Sequence, residues 1–210
     1  MKRFCLIVLL VWVTSPLLAQ SSMDGELQSL VSTVLTLRHA DGKAYDVARQ
    51  HLMLDSKWTP MDETGPFLRG IECLPSEPVP RFRLNAILNE VARKRTPVSV
   101  RAESMLNGED PRYDYSLFER SVREGCSATY ELRKRSGRQW FVVIPHSGPD
   151  SVTASLSIDG GEPRALVPQS DGFLVLFVEE PIRMDQILTL TVCGIRSDSF
   201  VIINHNMRDK

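Results

Sequence analysis

The stretch Ser127-Ala-Thr-Tyr-Glu-Leu132 decides the fold. Ala128, Tyr130 and Leu132 alternate with Thr129, Glu131 and Arg133. A repeat of two sends successive side chains to opposite faces of a pleated strand, which is the pattern of a half-buried strand. The rhythm continues downstream. Ser136-Gly137 marks a turn, and Trp140 to Ile144 reads as a second strand. Val152 to Ile158 is a third, closed by Asp159-Gly160-Gly161, a composition suited to a tight hairpin turn. Arg164 to Val167 answers it across the hairpin. Phe173 to Val178 is apolar almost throughout and reads as a central strand. Ile187 to Val192 and Ser199 to Ile203 complete the series. About six or seven strands at roughly 8–12-residue spacing, with no helix-length crossover between them, predict an antiparallel β-sandwich of jelly-roll or Ig-like type.

Upstream the period lengthens. Leu27, Leu30, Val31, Val34 and Leu35 recur at three- and four-residue steps, which predicts a helix over Asp24 to Leu37 with one apolar face. Asp24 can cap its start, and the stretch from His39 to Gly42 supplies its stop. A second helix is expected over Ala44 to Leu54, striped by Tyr45, Ala48, Leu52 and Met53. Asp55 to Pro80 carries too many prolines and glycines for long elements. A third helix is expected over Leu84 to Arg95, stopped by Thr96-Pro97. Val98 and Val100 suggest a short strand, and Ser116 to Glu124 a short helix ending at Gly125. The fold class expected is therefore α+β, with residues 20–125 mainly helical and residues 126–210 forming the sandwich.

The first residues have the layout of an export signal. Lys2 and Arg3 are followed by an uncharged apolar run from Phe4 to Val13, a break at Thr14-Ser15-Pro16, and the small residue Ala19. The run is shorter than the ~20 residues that cross a bilayer as a helix. Residues 1–19 are thus expected to be a signal peptide. The expected location is outside the cytoplasm: periplasmic, cell-surface or secreted. No span is expected after cleavage. Loss of Lys2 and Arg3 leaves 23 basic against 26 acidic residues, a formal charge of −3. That balance provides no general attraction to nucleic acid.

Three cysteines remain after removal of the signal: Cys73, Cys126 and Cys193. An odd count in an exported chain allows one disulfide with a spare thiol, or none. Cys126 and Cys193 share the β-rich half, which favours them as the pair. No C-x-x-C and no H-E-x-x-H occurs, and no glycine-rich phosphate loop, so neither a metal site nor a cofactor is expected.

The candidate contact residues are polar or aromatic side chains beside strands and loops. Asn204-His205-Asn206 follows the apolar Val201-Ile202-Ile203. Such a cluster at a sandwich rim can hydrogen-bond a sugar or peptide, or satisfy turn backbone. Tyr113 and Tyr115 are candidates for stacking on a sugar ring. Arg93 and Arg95, with Lys94, form a basic run that can meet an anionic partner or simply complement a helix end. His39, His51 and His146 stand without a close metal pattern. Asp110, Asp114, Glu119 and Glu124 are spaced as on any solvated face, although glycoside hydrolysis also uses paired carboxylates. No G-x-S-x-G elbow is present, and no frame for a nucleophilic triad. The expectation is a non-catalytic binding or accessory protein recognising a glycan or an envelope protein. A secreted hydrolase and an envelope assembly subunit are the alternatives.

Overall fold

A computed structural model describes residues 23, 25–39, 41–54, 58–60, 67–68, 77–87, 90, 115–132 and 136–207. The expected signal, Cys73, Arg93, Arg95, Val98, Val100 and Tyr113 lie outside the described residues.

The chain is mostly β, with its described helices at the N-terminal side. Helix α1 spans Gly25–Leu37 and helix α2 spans Gly42–Leu54. Eleven strands follow among the described residues: β1 Trp58–Pro60, β2 Phe67–Leu68, β3 Tyr115–Val122, β4 Ser127–Leu132, β5 Gly137–Pro145, β6 Val152–Ile158, β7 Arg164–Ala165, β8 Val167–Pro168, β9 Leu174–Ile182, β10 Leu188–Gly194 and β11 Asp198–Met207. They form two sheets. One has the order β1-β3-β11-β5-β9-β8, the other β2-β4-β10-β6-β7. Neighbours are antiparallel except β1, which runs parallel to β3.

The two sheets face each other across a shared apolar cluster. The six-stranded sheet contributes Phe118, Phe141, Val143, Leu174, Phe200 and Ile202, and the five-stranded sheet answers with Tyr130, Leu156, Leu188, Leu190 and Val192. The other face of the six-stranded sheet is also covered. Leu117, Trp140, Val142, Ile144, Val201 and Ile203 pack there with Leu27, Leu30, Val34 and Leu52 of the helices and with Phe82, Leu84 and Ile87. Adjacent residues such as Ile202 and Ile203 therefore enter different cores, and both are fully buried. This explains the contiguous apolar runs in β5, β9 and β11, because a strand buried on both faces has no polar side to alternate with. The five-stranded sheet has one covered face, and β10 alternates buried with half-buried residues along its length.

Three sequence expectations are corrected. Ser116 to Glu124 is not a helix. It lies within β3, which pairs with β11 from Tyr115↔His205 to Val122↔Asp198. Burial on both faces hides the strand period here, since Leu117 and Phe118 serve opposite cores. The same pairing carries the sheet back past residue 126, the expected start of the β part. Arg164 to Val167 is not one strand: β7 joins β6 in one sheet, β8 joins β9 in the other, and buried Leu166 lies between them. Within the stretch from Asp55 to Pro80, expected to be irregular, β1 and β2 add edges to the two sheets. The hairpin at Asp159-Gly160 is as expected. Gly161 N–H donates to Ile158 O at 2.9 Å, with Asp159 and Gly160 both at positive φ (54° and 70°), as a primed hairpin turn requires.

Segment 77–87 is pinned to the six-stranded sheet through Glu119. This buried carboxylate accepts N–H groups of Phe82 (3.1 Å), Leu84 (3.0 Å) and Asn85 (3.3 Å), capping the helical turn at 84–87. Burial raises its pKa, and the three N–H groups oppose that rise. Ser199 Oγ donates to Pro80 O nearby.

The double covering has a measurable consequence. Ile202→Ala and Ile203→Ala should each destabilise the protein by about 2–5 kcal/mol in urea unfolding, because each opens a different filled core. A cost below about 1 kcal/mol for Ile203→Ala alone would mean that the helical layer does not cover that face.

Candidate functional site

The ends of the two sheets carry different chemistry. At the first end, where β3 leads to β4 and β10 to β11, the polar centre is Asp198. Its side chain is fully buried and accepts four hydrogen bonds. Ser147 N–H (2.9 Å) and Ser151 O–H (2.6 Å) reach Oδ2, while Ser147 O–H (3.0 Å) and Ser199 N–H (2.9 Å) reach Oδ1. The carboxylate thereby ties the start of β11 to the 147–151 turn. Ile195 and Arg196 N–H both donate to Ser151 O, closing the same junction.

Around this centre stand Arg38, His39 and His146. Arg38 follows α1, and its guanidinium donates to Pro145 O at 2.7 Å and Gly172 O at 2.6 Å. Burial lowers the Arg38 pKa, and the Asp198 charge opposes the change. The His146 ring packs edge-on to Phe82 at 5.1 Å and to His39 at 6.1 Å. Its pKa is lowered chiefly by burial; His39 and Arg38 add to that, and Asp198 opposes it.

Serine, histidine and aspartate thus meet in one place, and their connectivity decides what they can do. A nucleophilic serine must hand its proton to a base, usually an imidazole oriented by a carboxylate. Here both serine hydroxyls donate directly to Asp198. The carboxylate engages the serines instead of orienting a histidine toward one, and the cluster works as a structural lock.

The second end holds the cluster anticipated at Asn204, His205 and Asn206, and the three side chains divide between two faces. On β11, Phe200 and Ile202 face the sheet interface, whereas Val201 and Ile203 face the helices. Alternation then puts Asn204 and Asn206 on the inter-sheet side and His205 on the helix side. Asn204 pairs in register with Ser116 and Phe141, and Asn206 with Gln139. Ser116, Gln139 and Asn204 are buried, and Asn206 is half-buried. Asn204 Oδ1, Asn206 Oδ1 and Ser116 Oγ have no hydrogen-bond partner among the described residues. Asn206 Oδ1 would lie 3.0 Å from a Cβ at Gly137, whose φ is +111°, so this position tolerates no side chain without moving Asn206. His205 is buried beside Trp140, which stacks on Phe177 at 4.5 Å and donates its Nε1–H to Met207 Sδ.

The remaining candidates are dispersed. Tyr115 lies on β3, paired with Trp58 and His205. Of the suggested carboxylates, Glu119 is the buried cap described above and Glu124 is exposed at the other end of the sheet, so the two do not form an acid–base pair. His51 is exposed on α2. No disulfide joins Cys126 to Cys193. Cys193 follows the outward side of β10 with Thr189 and Thr191, whereas Cys126 packs against the inter-sheet core. Side chains on opposite faces of one sheet do not meet, which corrects the pairing favoured from their shared half of the chain. Sequence reasoning missed Asp198, Ser151, Arg38 and the cap formed by Glu119. Ser147-Gly148 reads as a turn, and it is one, with Ser147 also held by Asp198 across the junction.

No family model matches the chain, and no curated protein matches it. Solved structures that resemble parts of it do so at low levels. A family GH115 4-O-methyl-α-glucuronidase specific for decorated arabinogalactans aligns over 43% of this chain and 14% of its own, at 10% identity and TM-score 0.30. The Yersinia pseudotuberculosis-derived mitogen aligns over 46% of this chain and 88% of its own, at 10% identity and TM-score 0.32. An exo-β-1,3-galactanase from Phanerochaete chrysosporium aligns over 48% of this chain and 31% of its own, at 14% identity and TM-score 0.29. The chain spans far less than two thirds of both enzymes, and likeness at this level carries no argument about activity.

Two outcomes follow. Asp198→Ala should cost about 3 kcal/mol or more in urea unfolding, because it strands four donors, while Ser147→Ala should cost about 1 kcal/mol. Peptide mapping without reduction should recover no cystine linking Cys126 to Cys193.

Proposed function

We propose that this chain is an exported, non-catalytic binding or accessory protein, recognising a glycan or an envelope protein at the end of its sheets that carries Asn204 and Asn206. The observation behind this reading is the group of unpartnered acceptors on neighbouring strands: Ser116 Oγ, Asn204 Oδ1 and Asn206 Oδ1. A buried acceptor without a donor costs about 1–3 kcal/mol. Three of them on one face make a place where an incoming O–H or N–H would gain more than at a satisfied surface. Half-buried Asn206 gives the group its connection to the outside. Sugar hydroxyls and peptide amides both carry such donors, and of the two the neutral side chains here favour a glycan.

The strand order supports a more specific architecture. β3-β11-β5-β9 facing β4-β10-β6-β7 is the order of a jelly roll, with chain connections passing repeatedly from one sheet to the other. Jelly rolls serve many purposes, lectin domains among them, so the fold alone does not assign the ligand. A hydrolase is the less favoured reading, because the Ser-His-Asp group is wired through Asp198 as a junction. An assembly subunit would need an open sheet edge. Here the described edge strands are short, two residues in β2, β7 and β8 and three in β1, and Pro60 and Pro168 each remove a donor.

The test uses the mature protein on a neutral glycan array, with Asn204→Leu as the variant. Leucine keeps the branched shape of asparagine and removes the unpartnered amide. Binding should fall about tenfold or more while stability rises by about 1 kcal/mol, since no intramolecular hydrogen bond is lost. A variant that is destabilised and binds as the parent does would assign Asn204 a purely structural role.

A further inference from the structure

We propose that the corner where α1 meets the ends of the sheets is an acid-responsive latch, opened when His146 becomes protonated beside Arg38 and His39. The latch has three parts. Arg38 is the bolt: its guanidinium spans from the end of α1 to Pro145 O at the end of β5 and Gly172 O in the turn before β9. Asp198 is the buried counter-charge. The His146 imidazole is the sensor, its ring 6.1 Å from that of His39.

His146 is placed to couple all three. Its backbone N–H donates to Ser199 O at 2.8 Å, next to Asp198. Its ring lies against Phe82 of the 77–87 segment. The groups facing it from each packed element are few. The end of α1 presents Arg38 and His39, and β11 presents Asp198. The 77–87 segment presents the uncharged Phe82 ring, while its Arg81 acts on Glu119 and Arg83 is exposed. Asp150 in the 147–151 turn and Asp171 beside Gly172 are both exposed to solvent.

Protonation of His146 adds a cation beside the Arg38 guanidinium, near a carboxylate whose oxygens already accept four donors. Like charges at this separation repel, and partial burial weakens solvent screening. Burial already lowers the His146 pKa from the ordinary imidazole value of 6.5. The closed corner therefore binds its proton less well than an opened one. Its stabilisation is fully present above that ordinary value and is lost as pH falls through the lowered one. What yields is the corner and not the whole protein, because both cores are held by burial of uncharged apolar and aromatic side chains.

Amide hydrogen exchange on the mature full-length protein at pH 7.5 and 5.5, corrected for intrinsic rates, tests this. At pH 5.5 the amides of Arg38, His146 and Gly172 should lose about tenfold or more of their protection. Leu190 and Thr191, in the middle of β10, should keep theirs. His39→Gln, at an exposed position, should reduce the response, and His39→Gln with His146→Gln should abolish it. Should the double variant fail to fold, His39→Gln alone decides the matter. Equal protection at the two pH values, equal loss in β10, or an unchanged response in His39→Gln would each overturn the latch.

Discussion

The structure depends on burial of both faces of one sheet. The six-stranded sheet packs against the five-stranded sheet on one side and against the helices on the other. β11 runs through its interior, between β3 and β5, and every residue from Asp198 to His205 is buried. A strand in that position must satisfy two cores, and Val201-Ile202-Ile203 does so with three consecutive apolar side chains. Burying each such side chain contributes about 1.5–3 kcal/mol.

Double burial also dictates where polar side chains can stand. Polar groups taken out of water need partners, and the two ends of β11 treat this need differently. At its start Asp198 receives four donors and welds the 147–151 turn to β11. Toward its finish Asn204 and Asn206 carry acceptor oxygens that no donor meets. One end is closed by its own hydrogen bonds, and the other retains capacity for a donor from outside. The proposed binding role rests on that asymmetry. The histidine pair lies at the closed end, where a change of charge acts on a junction already in place.

Much of the β architecture was legible along the chain. Where one face meets solvent, alternation announced the strand, strict in β4 and partial in β10. Where both faces are covered, as in β5, β9 and β11, unbroken apolar runs did so. β3 was not legible: Leu117 and Phe118 point into opposite cores while Ser116, Glu119 and Ser121 are buried polar residues, so no period survives. The candidate site was half legible. Asn204 and Asn206 stood out as polar residues after an apolar strand. Their partition from His205 follows from β alternation, but Ser116 enters the cluster only through cross-strand pairing.

The sequence by itself determined the change from helical to strand periodicity, the hairpin at Asp159-Gly160 and the polar group closing β11, because each depends on neighbours a few residues apart. Tertiary structure alone decided that Asp198 would gather Ser147 and Ser151, that Glu119 would cap a turn 35 residues before it, and that Cys126 and Cys193 would face apart. Those outcomes rest on sheet order and on the face each strand presents, which are set when distant strands pair and are written in no local window of the chain.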